Sequence, residues 1–229
     1  MGALHDGHAS LIRKASKENE IRVVSIFVNP TQFGPNEDLD AYPRTLEEDQ
    51  KLCKTAGATH IYAPAINDIY PEGRETFEIQ FGLRSMDKIL CGAKRPGHFD
   101  GVLQVVSKLF NIVRPHKAYF GKKDFQQLSI LETLGRELFF PVEVIGCPII
   151  REEDGLAMSS RNRYLNPEER KQALFLSQTL AKVHAASHEG ALVADLQAIV
   201  REELEDQPHS FMAAFCGATR LIDNLSLWE

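Results

Sequence analysis

Residues Ile21–Gly34 read IRVVSIFVNPTQFG. Ile21–Val28 is a near-continuous β-branched run, the texture of a strand covered on both faces. The segment then breaks at Pro30 and Gly34 and offers two uncharged hydrogen-bonding side chains, Asn29 and Gln32. A buried strand that runs into a polar turn is how an open α/β sheet presents a ligand, so the flanking segments decide the reading.

They alternate. A charged helical stretch, Thr45 to Thr55, is closed by Gly57 and followed by a strand, THIYAP (Thr59–Pro64). FEIQF (Phe77–Phe81) alternates like an edge strand, and KAYFG (Lys117–Gly121) and VEVIGCPII (Val142–Ile150) read as further strands. Between them, Val102, Val105, Val106, Leu109 and Val113 recur at helical spacing, as do Leu128, Leu131, Leu134 and Leu138. Strands alternating with helices predict an α/β fold with a Rossmann-like, doubly wound parallel sheet over residues 1–148, binding ligands at the carboxyl ends of its strands. After Ile150 the texture changes. A polar loop, REEDGLAMSSRNRYL, leads to NPEE, where Asn166 can cap a helix and Pro167 suits its first position. Helices follow to about Ala185 and from Val193 to Glu205, and SFMAAFCGATRLIDN reads as strand and turn. Residues 149–229 are therefore expected to form a smaller α+β domain.

The 229 residues carry 26 Lys and Arg against 32 Asp and Glu, a net charge of −6. That balance argues against non-specific nucleic-acid binding, which needs a basic excess. No apolar stretch is long enough to span a membrane. The opening residues lack the apolar run and basic flank of a leader, and Cys53, Cys91, Cys147 and Cys216 form no CxxC pair. Free thiols and a cytoplasmic location are expected.

Four segments could carry chemistry. HDGH (His5–His8) sits where ASLIRKAS can begin a helix, and a helix start attracts phosphate. Gly7 leaves room for a ligand, and two imidazoles could donate to a phosphate. Zinc is the alternative reading, but it needs a third ligand. Asn29 and Gln32 lie just past the first strand, placed to meet hydroxyl or carboxyl oxygens. FGKKDFQQL (Phe120–Leu128) follows another strand: Gly121 allows close approach, Lys122 and Lys123 are cations, Asp124 can accept from a ribose hydroxyl, and Gln127 lies a turn after Lys123. In DGLAMSSRN (Asp154–Asn162), Ser159, Ser160 and Arg161 suit a mobile clamp on a polyphosphate. Arg95 and His98 in RPGHFDG are a further pair at a helix start. Phosphate-binding groups at several strand ends suggest an ATP site of an adenylate-forming enzyme.

MGALHDGH, SIFVNPTQFG, YPRT, RPGHFDGV, FGKKDFQQL, DGLAMSSRNRYL and RLIDN, in this order, resemble the motifs of the pantoate–β-alanine ligase family, within the superfamily that carries HIGH and KMSKS motifs. The resemblance implies condensation of pantoate with β-alanine through a pantoyl adenylate, with release of pyrophosphate and AMP. It assigns Met1, Gly2, His5, Gly7 and His8 to the ATP site, with His8 catalytic beside His5, Lys123 and Arg161. Gly121, Lys123 and Asp124 join them, with Ile150 by the adenine and Met158, Ser159, Ser160 and Arg161 as the KMSKS counterpart. Gln32 and Gln127 match pantoate ligands, and Asn29 and Arg95 are counted with the pantoate and β-alanine groups. Mg²⁺ is expected on the phosphates, with no protein ligand assigned. The C-terminal domain is expected to act as a lid and the enzyme to be a homodimer. The family carries a strand ahead of the opening methionine and a longer stretch between Asp206 and Phe211, so a longer parent chain is expected. The rivals are a nucleotidyltransferase acting on a phosphorylated acceptor, a metal-dependent hydrolase using His5 and His8, and a non-enzymatic binding protein.

Overall fold

The computed structural model describes residues 2–35, 37–73, 82, 88–205, 213–216 and 219–224. The chain divides into two compact units, Met1–Pro148 and Ile149–Glu229. Met1, the predicted strand Phe77–Phe81 and the stretch Asp206–Phe211 lie outside the described residues.

In the first unit, α1 (Asp6–Glu18), β1 (Val23–Ser25), α2 (Leu46–Ala56), β2 (His60–Tyr62), α3 (Ile66–Ile69), α4 (Leu90–Lys94), α5 (His98–Val113), β3 (Lys117–Gly121), α6 (Phe125–Glu137) and β4 (Glu143–Cys147) follow in order. Single 3₁₀ turns at Pro30–Gln32 and Lys122–Asp124 stand at the ends of β1 and β3. Pairing is parallel, as the alternation of strands and helices predicts: Val24 opposes Ile61 and Tyr119 opposes Ile145. Among the described residues the hydrogen bonding runs within two pairs, β1–β2 and β3–β4.

The expectation that β1 is covered on both faces needs correction. Val24 and Ile26 are buried, but Ile21 is 69% and Val23 39% exposed. Alternate side chains of a strand face opposite sides: the Val24 and Ile26 side is buried, whereas on the other side Phe27 packs on the main core and Ile21 and Val23 stay open.

The main core gathers Ile69, Tyr70, Phe99, Val102, Leu103, Phe110, Ile130, Leu131 and Leu134. A second, smaller core of Leu4, Ala9, Ile12, Val24, Ile26, Cys53 and Ala56 lies under α1 and α2. Gly101 in α5 lets that helix meet the turn after β1. A Cβ there would stand 2.3 Å from the Thr31 carbonyl oxygen, a distance no side chain tolerates, so the glycine fixes how closely the turn seats.

The second unit opens with a tight loop. Met158 N–H donates to the Ile150 carbonyl at 2.9 Å, Arg151 bridges Ala157, and Gly155 turns the chain at φ 93°. A 3₁₀ stretch, Ser160–Tyr164, leads to α7 (Pro167–His188) and α8 (Val193–Glu205). Asn166 caps α7 reciprocally with Glu169 and Pro167 fills the first position, as the sequence predicts. β5 (Ala213–Cys216) and β6 (Thr219–Ile222) pair antiparallel.

Candidate active site

The first unit collects its candidate groups at the start of α1 and in the turns after β1 and β3. His5 is the N-cap of α1, and its Nδ1 accepts the Gly7 N–H at 3.2 Å. His8 lies one turn on and returns the bond: its Nδ1 accepts the His5 N–H at 3.3 Å. This is a capping box written in imidazoles, with ring centroids 4.1 Å apart. A ring nitrogen that accepts a hydrogen bond holds no proton, so each neutral ring carries its proton on Nε2. Burial pushes the His8 pKa well below 6.5, and the neighbouring His5 and Lys123 further disfavour a positive charge there. His8 is thus a neutral, oriented donor beside a lysine at a helix N-terminus.

Lys123 and Asp124 come from the 3₁₀ turn after β3, their charged ends 3.7 Å apart. The sequence places Gln127 a helical turn beyond Lys123. The structure starts α6 only at Phe125, so the two are joined through the tighter 3₁₀ turn. A Cβ on Gly121 would meet only the Lys123 nitrogen, at 4.0 Å. Protein packing therefore does not demand glycine there, and the open space fits the approach of a ligand.

The turn after β1 is held from below. Asn29 is 3% exposed. Its Oδ1 accepts from Tyr70 at 2.8 Å and Thr31 at 3.1 Å, and its Nδ2 donates to the Gly101 carbonyl at 3.1 Å. Arg95 makes a bidentate pair with Glu37 at 2.6 and 2.5 Å and also donates to the Gln32 carbonyl at 3.2 Å. His98 accepts from Arg95 on Nε2 at 2.9 Å and donates from Nδ1 to the Gln32 carbonyl at 2.8 Å. Burial, then the Arg95 charge, lowers the His98 pKa to about 4. Asn29 and Arg95, read from sequence as substrate groups, here spend their side chains on the protein. They fix the backbone that carries Gln32, whose own side chain is half-buried.

In the second unit, Ile150 and Met158 are hydrogen-bonded neighbours, and Ser159 caps the 3₁₀ stretch by accepting the Arg161 N–H at 3.3 Å. Ser160 is buried and Arg161 half-buried. The loop is braced by Arg151, which pairs with Asp223 at 2.6 and 3.0 Å. Arg170 braces it too, with Glu152 at 2.5 Å and Asp154 at 2.7 Å.

The sequence reading did not single out Glu37, Asp49, Tyr70, Arg151, Arg170 or Asp223. Asp223 lies inside the RLIDN motif, which marked the segment but not the Arg151 partner 72 residues away. Asp49 looked like one more acid in a charged first helical turn.

A parallel α/β unit with paired histidines at a helix start and a lysine at the next strand end defines a class: the HIGH-type nucleotidyltransferase fold. Within it, the chain belongs to the pantoate-beta-alanine ligase family, whose profile matches residues 1–226. It is 47% identical over 255 residues to the pantothenate synthetase of Bacteroides fragilis, covering all of this chain and 89% of that protein. It is equally 47% identical over 253 residues to the enzyme of Thermotoga neapolitana, covering 99% and 89%. The crystal structure of pantothenate synthetase from Thermus thermophilus superposes with a TM-score of 0.90 at 40% identity, over 100% of this chain and 91% of that one. The Francisella tularensis pantoate-beta-alanine ligase, solved in complex with beta-gamma ATP and beta-alanine, gives 0.77 at 34% identity, over 99% and 87%.

Proposed function

We propose that this chain catalyses the ATP-dependent condensation of pantoate with β-alanine to pantothenate, through a pantoyl adenylate. The observation that carries the reading is His8: a neutral Nε2–H donor, fixed through its Nδ1, beside Lys123 at the start of α1.

A pantoate carboxylate oxygen attacks the α-phosphorus of ATP, and the bond to pyrophosphate breaks. The uncharged β-alanine amine then attacks the acyl carbon, the bond to AMP breaks, and the surplus amine proton leaves to solvent. In the first step two anions meet while charge builds on the leaving pyrophosphate. His5 and His8 supply oriented donors and Lys123 a cation where that charge develops. A neutral imidazole helps chiefly as the charge grows, so its binding energy favours the transition state over the ground state. Gln32 and Gln127 take pantoate's oxygens, and the fixed Gln32 backbone limits how far the acid can wander. Asp124 takes a ribose hydroxyl. Gly7 and Gly121 leave room for the nucleotide, and Met1 and Gly2 are assigned to the same site on the family resemblance. In the second unit Ile150 and Met158 lie by the adenine, Ser159, Ser160 and Arg161 bind the phosphates, and residues 149–229 act as a lid.

Among the described residues no three His, Cys, Asp or Glu side chains converge as a cage. We assign Mg²⁺ no protein ligand: it would arrive on the nucleotide and be held by phosphate oxygens and water, the manner this ion prefers. There it would offset phosphate charge. A homodimer in the cytoplasm is proposed on the family resemblance alone.

The test is pyrophosphate release from ATP with pantoate alone, followed by AMP release when β-alanine is added. Pyrophosphate formation that ignores pantoate would overturn the reading.

A further inference from the structure

Asp49 in α2 is a carboxylate 2% exposed to solvent. Its Oδ2 accepts the Ala3 N–H at 3.1 Å, and its Oδ1 accepts the Leu4 N–H at 2.7 Å and the Thr45 hydroxyl at 3.2 Å. The two backbone donors lie 46 and 45 residues away in sequence. They belong to the two residues that immediately precede His5. Ala3 sits at φ 49°, a left-handed conformation that costs a non-glycine residue and persists only where surroundings hold it. Asp49 takes both amides of this turn with a single carboxylate. Thr45 spends its hydroxyl on Asp49 and makes no side-chain cap bond to α2.

We infer that Asp49 is a positioning residue for the histidine pair: its two oxygens clamp the Ala3–Leu4 turn and so fix the start of α1, from which His5 and His8 are aimed. The chain of contacts is continuous. The Asp49 carboxylate holds the Ala3 and Leu4 amides, Leu4 leads into the N-cap His5, and the His5 N–H holds the His8 ring. The segment YPRTLEED, which the chemistry otherwise leaves without a task, supplies both Asp49 and the Thr45 that steadies it. The consequence for rate rests on the ligase reading above, whereas the consequence for the rings does not.

Asp49→Asn keeps the shape and removes an acceptor. One of the two backbone amides then faces an NH₂ group, donor against donor. With the full chain, kcat for pantoate-dependent pyrophosphate release is expected to fall about 100-fold while the KM for pantoate changes less than about threefold, the pattern of misplaced catalytic groups. The fraction of sites that bind ATP stays near one. A merely structural role would instead lower that fraction and leave the rate per competent site unchanged. The ring ¹⁵N shifts of His5 and His8 report the same event without turnover. In the wild-type protein they show the Nε2–H form, and in Asp49→Asn both spectra move. Thr45→Val, which leaves the carboxylate in place, gives a smaller shift and about a fivefold loss of rate, and it serves should Asp49→Asn not fold. Unmoved ring shifts in a folded variant, or a wild-type rate per site, overturn the inference. A wild-type protein without pantoate-dependent pyrophosphate release overturns the ligase reading instead, and the ring shifts still decide the role of Asp49.

Discussion

The two units secure their candidate ligand groups by different forces. In the first, His5 and His8 are held by directional hydrogen bonds to backbone and to buried Asp49, and the Gln32 carbonyl by His98 and by Arg95, whose pair with Glu37 is only 18% and 27% exposed. In the second, the loop with Ser159, Ser160 and Arg161 is braced by ion pairs, of which Arg170 to Glu152 and Asp154 is partly exposed on every side chain. Buried directional bonds fix geometry and are screened little by salt, whereas exposed pairs are weak and salt-sensitive. The contrast sets rigidity where donors must be aimed and leaves the other loop easier to reorganise.

The largest effect should come from the rigid side. His8→Ala removes the aimed donor beside Lys123. Adenylation is expected to slow about 1,000-fold, roughly 4 kcal/mol of barrier, with little change in pantoate affinity. Single-turnover pyrophosphate release at saturating pantoate checks it. An equal loss of affinity with no loss of rate would show that His8 binds without aiding the chemistry.

Next is Asp223, the one deeply buried member of the ion-pair side. Asp223→Ala leaves Arg151 without the carboxylate that takes two of its bonds. Removing one partner of such a pair costs on the order of 3 kcal/mol when buried, and about 2 here because Arg151 is partly solvated. Denaturant unfolding should show the midpoint falling, and a fall no larger than that of an exposed pair would erase the contrast within the second unit.

Much of this was legible in the sequence. Helical and strand periodicity located β1 through β4 and the four longer helices flanking them, because each element's own side chains write its period. Asn166, Pro167 and Glu169 announced the start of α7 because capping is local chemistry. HDGH and GKKD suggested phosphate chemistry for the same reason, and the structure brings His8 and Lys123 within electrostatic reach of each other. What escaped was everything set by tertiary distance. Asp49 lies in the charged stretch Thr45 to Thr55 with no local mark of its burial, and only packing sets it against Leu4. Arg95 and Asn29 read as substrate ligands, and the sequence carries no sign of the bonds that Glu37, Tyr70 and Gly101 make to them. Val23 reads as core because a β-branched run does not say how many faces are covered.

The third test uses acid against the rigid side. The His98 pKa of about 4 lies below its ordinary 6.5. The unfolded chain therefore binds the proton more readily between these values. Its stabilising contribution is full above pH 6.5 and is lost as pH falls toward 4, by about 2 kcal/mol after allowance for partial exposure. His8, also lowered, adds to the loss below pH 6.5. Burial alone would raise Glu37, but its Arg95 bonds outweigh that and hold it below 4.5, so its share is lost only further down. His98→Gln should flatten unfolding free energy between pH 6.5 and 4.5, and an unchanged slope would show that His98 is already protonated in the fold.

The smallest effect belongs to Arg170. Its guanidinium bridges Glu152 and Asp154, with side-chain exposures of 34%, 28% and 30%. Exposed pairs of this kind contribute about 0.5–1 kcal/mol, and a shared arginine places this one toward the upper end. Arg170→Ala should hardly move global stability, because α7 retains its own cap and buried face. The loss should appear locally, as about two- to fivefold faster hydrogen exchange at the amides of Gly155–Arg161. Added salt should produce the same change in the wild-type protein, since it screens the same charges. The amides of His5–Ala9 should not respond to either treatment, because buried bonds to backbone amides hold the Asp49 clamp. If salt loosens both loops equally, the two units are secured alike and the contrast fails; if it loosens only the Arg170 loop, the ion pairs set how readily that loop opens.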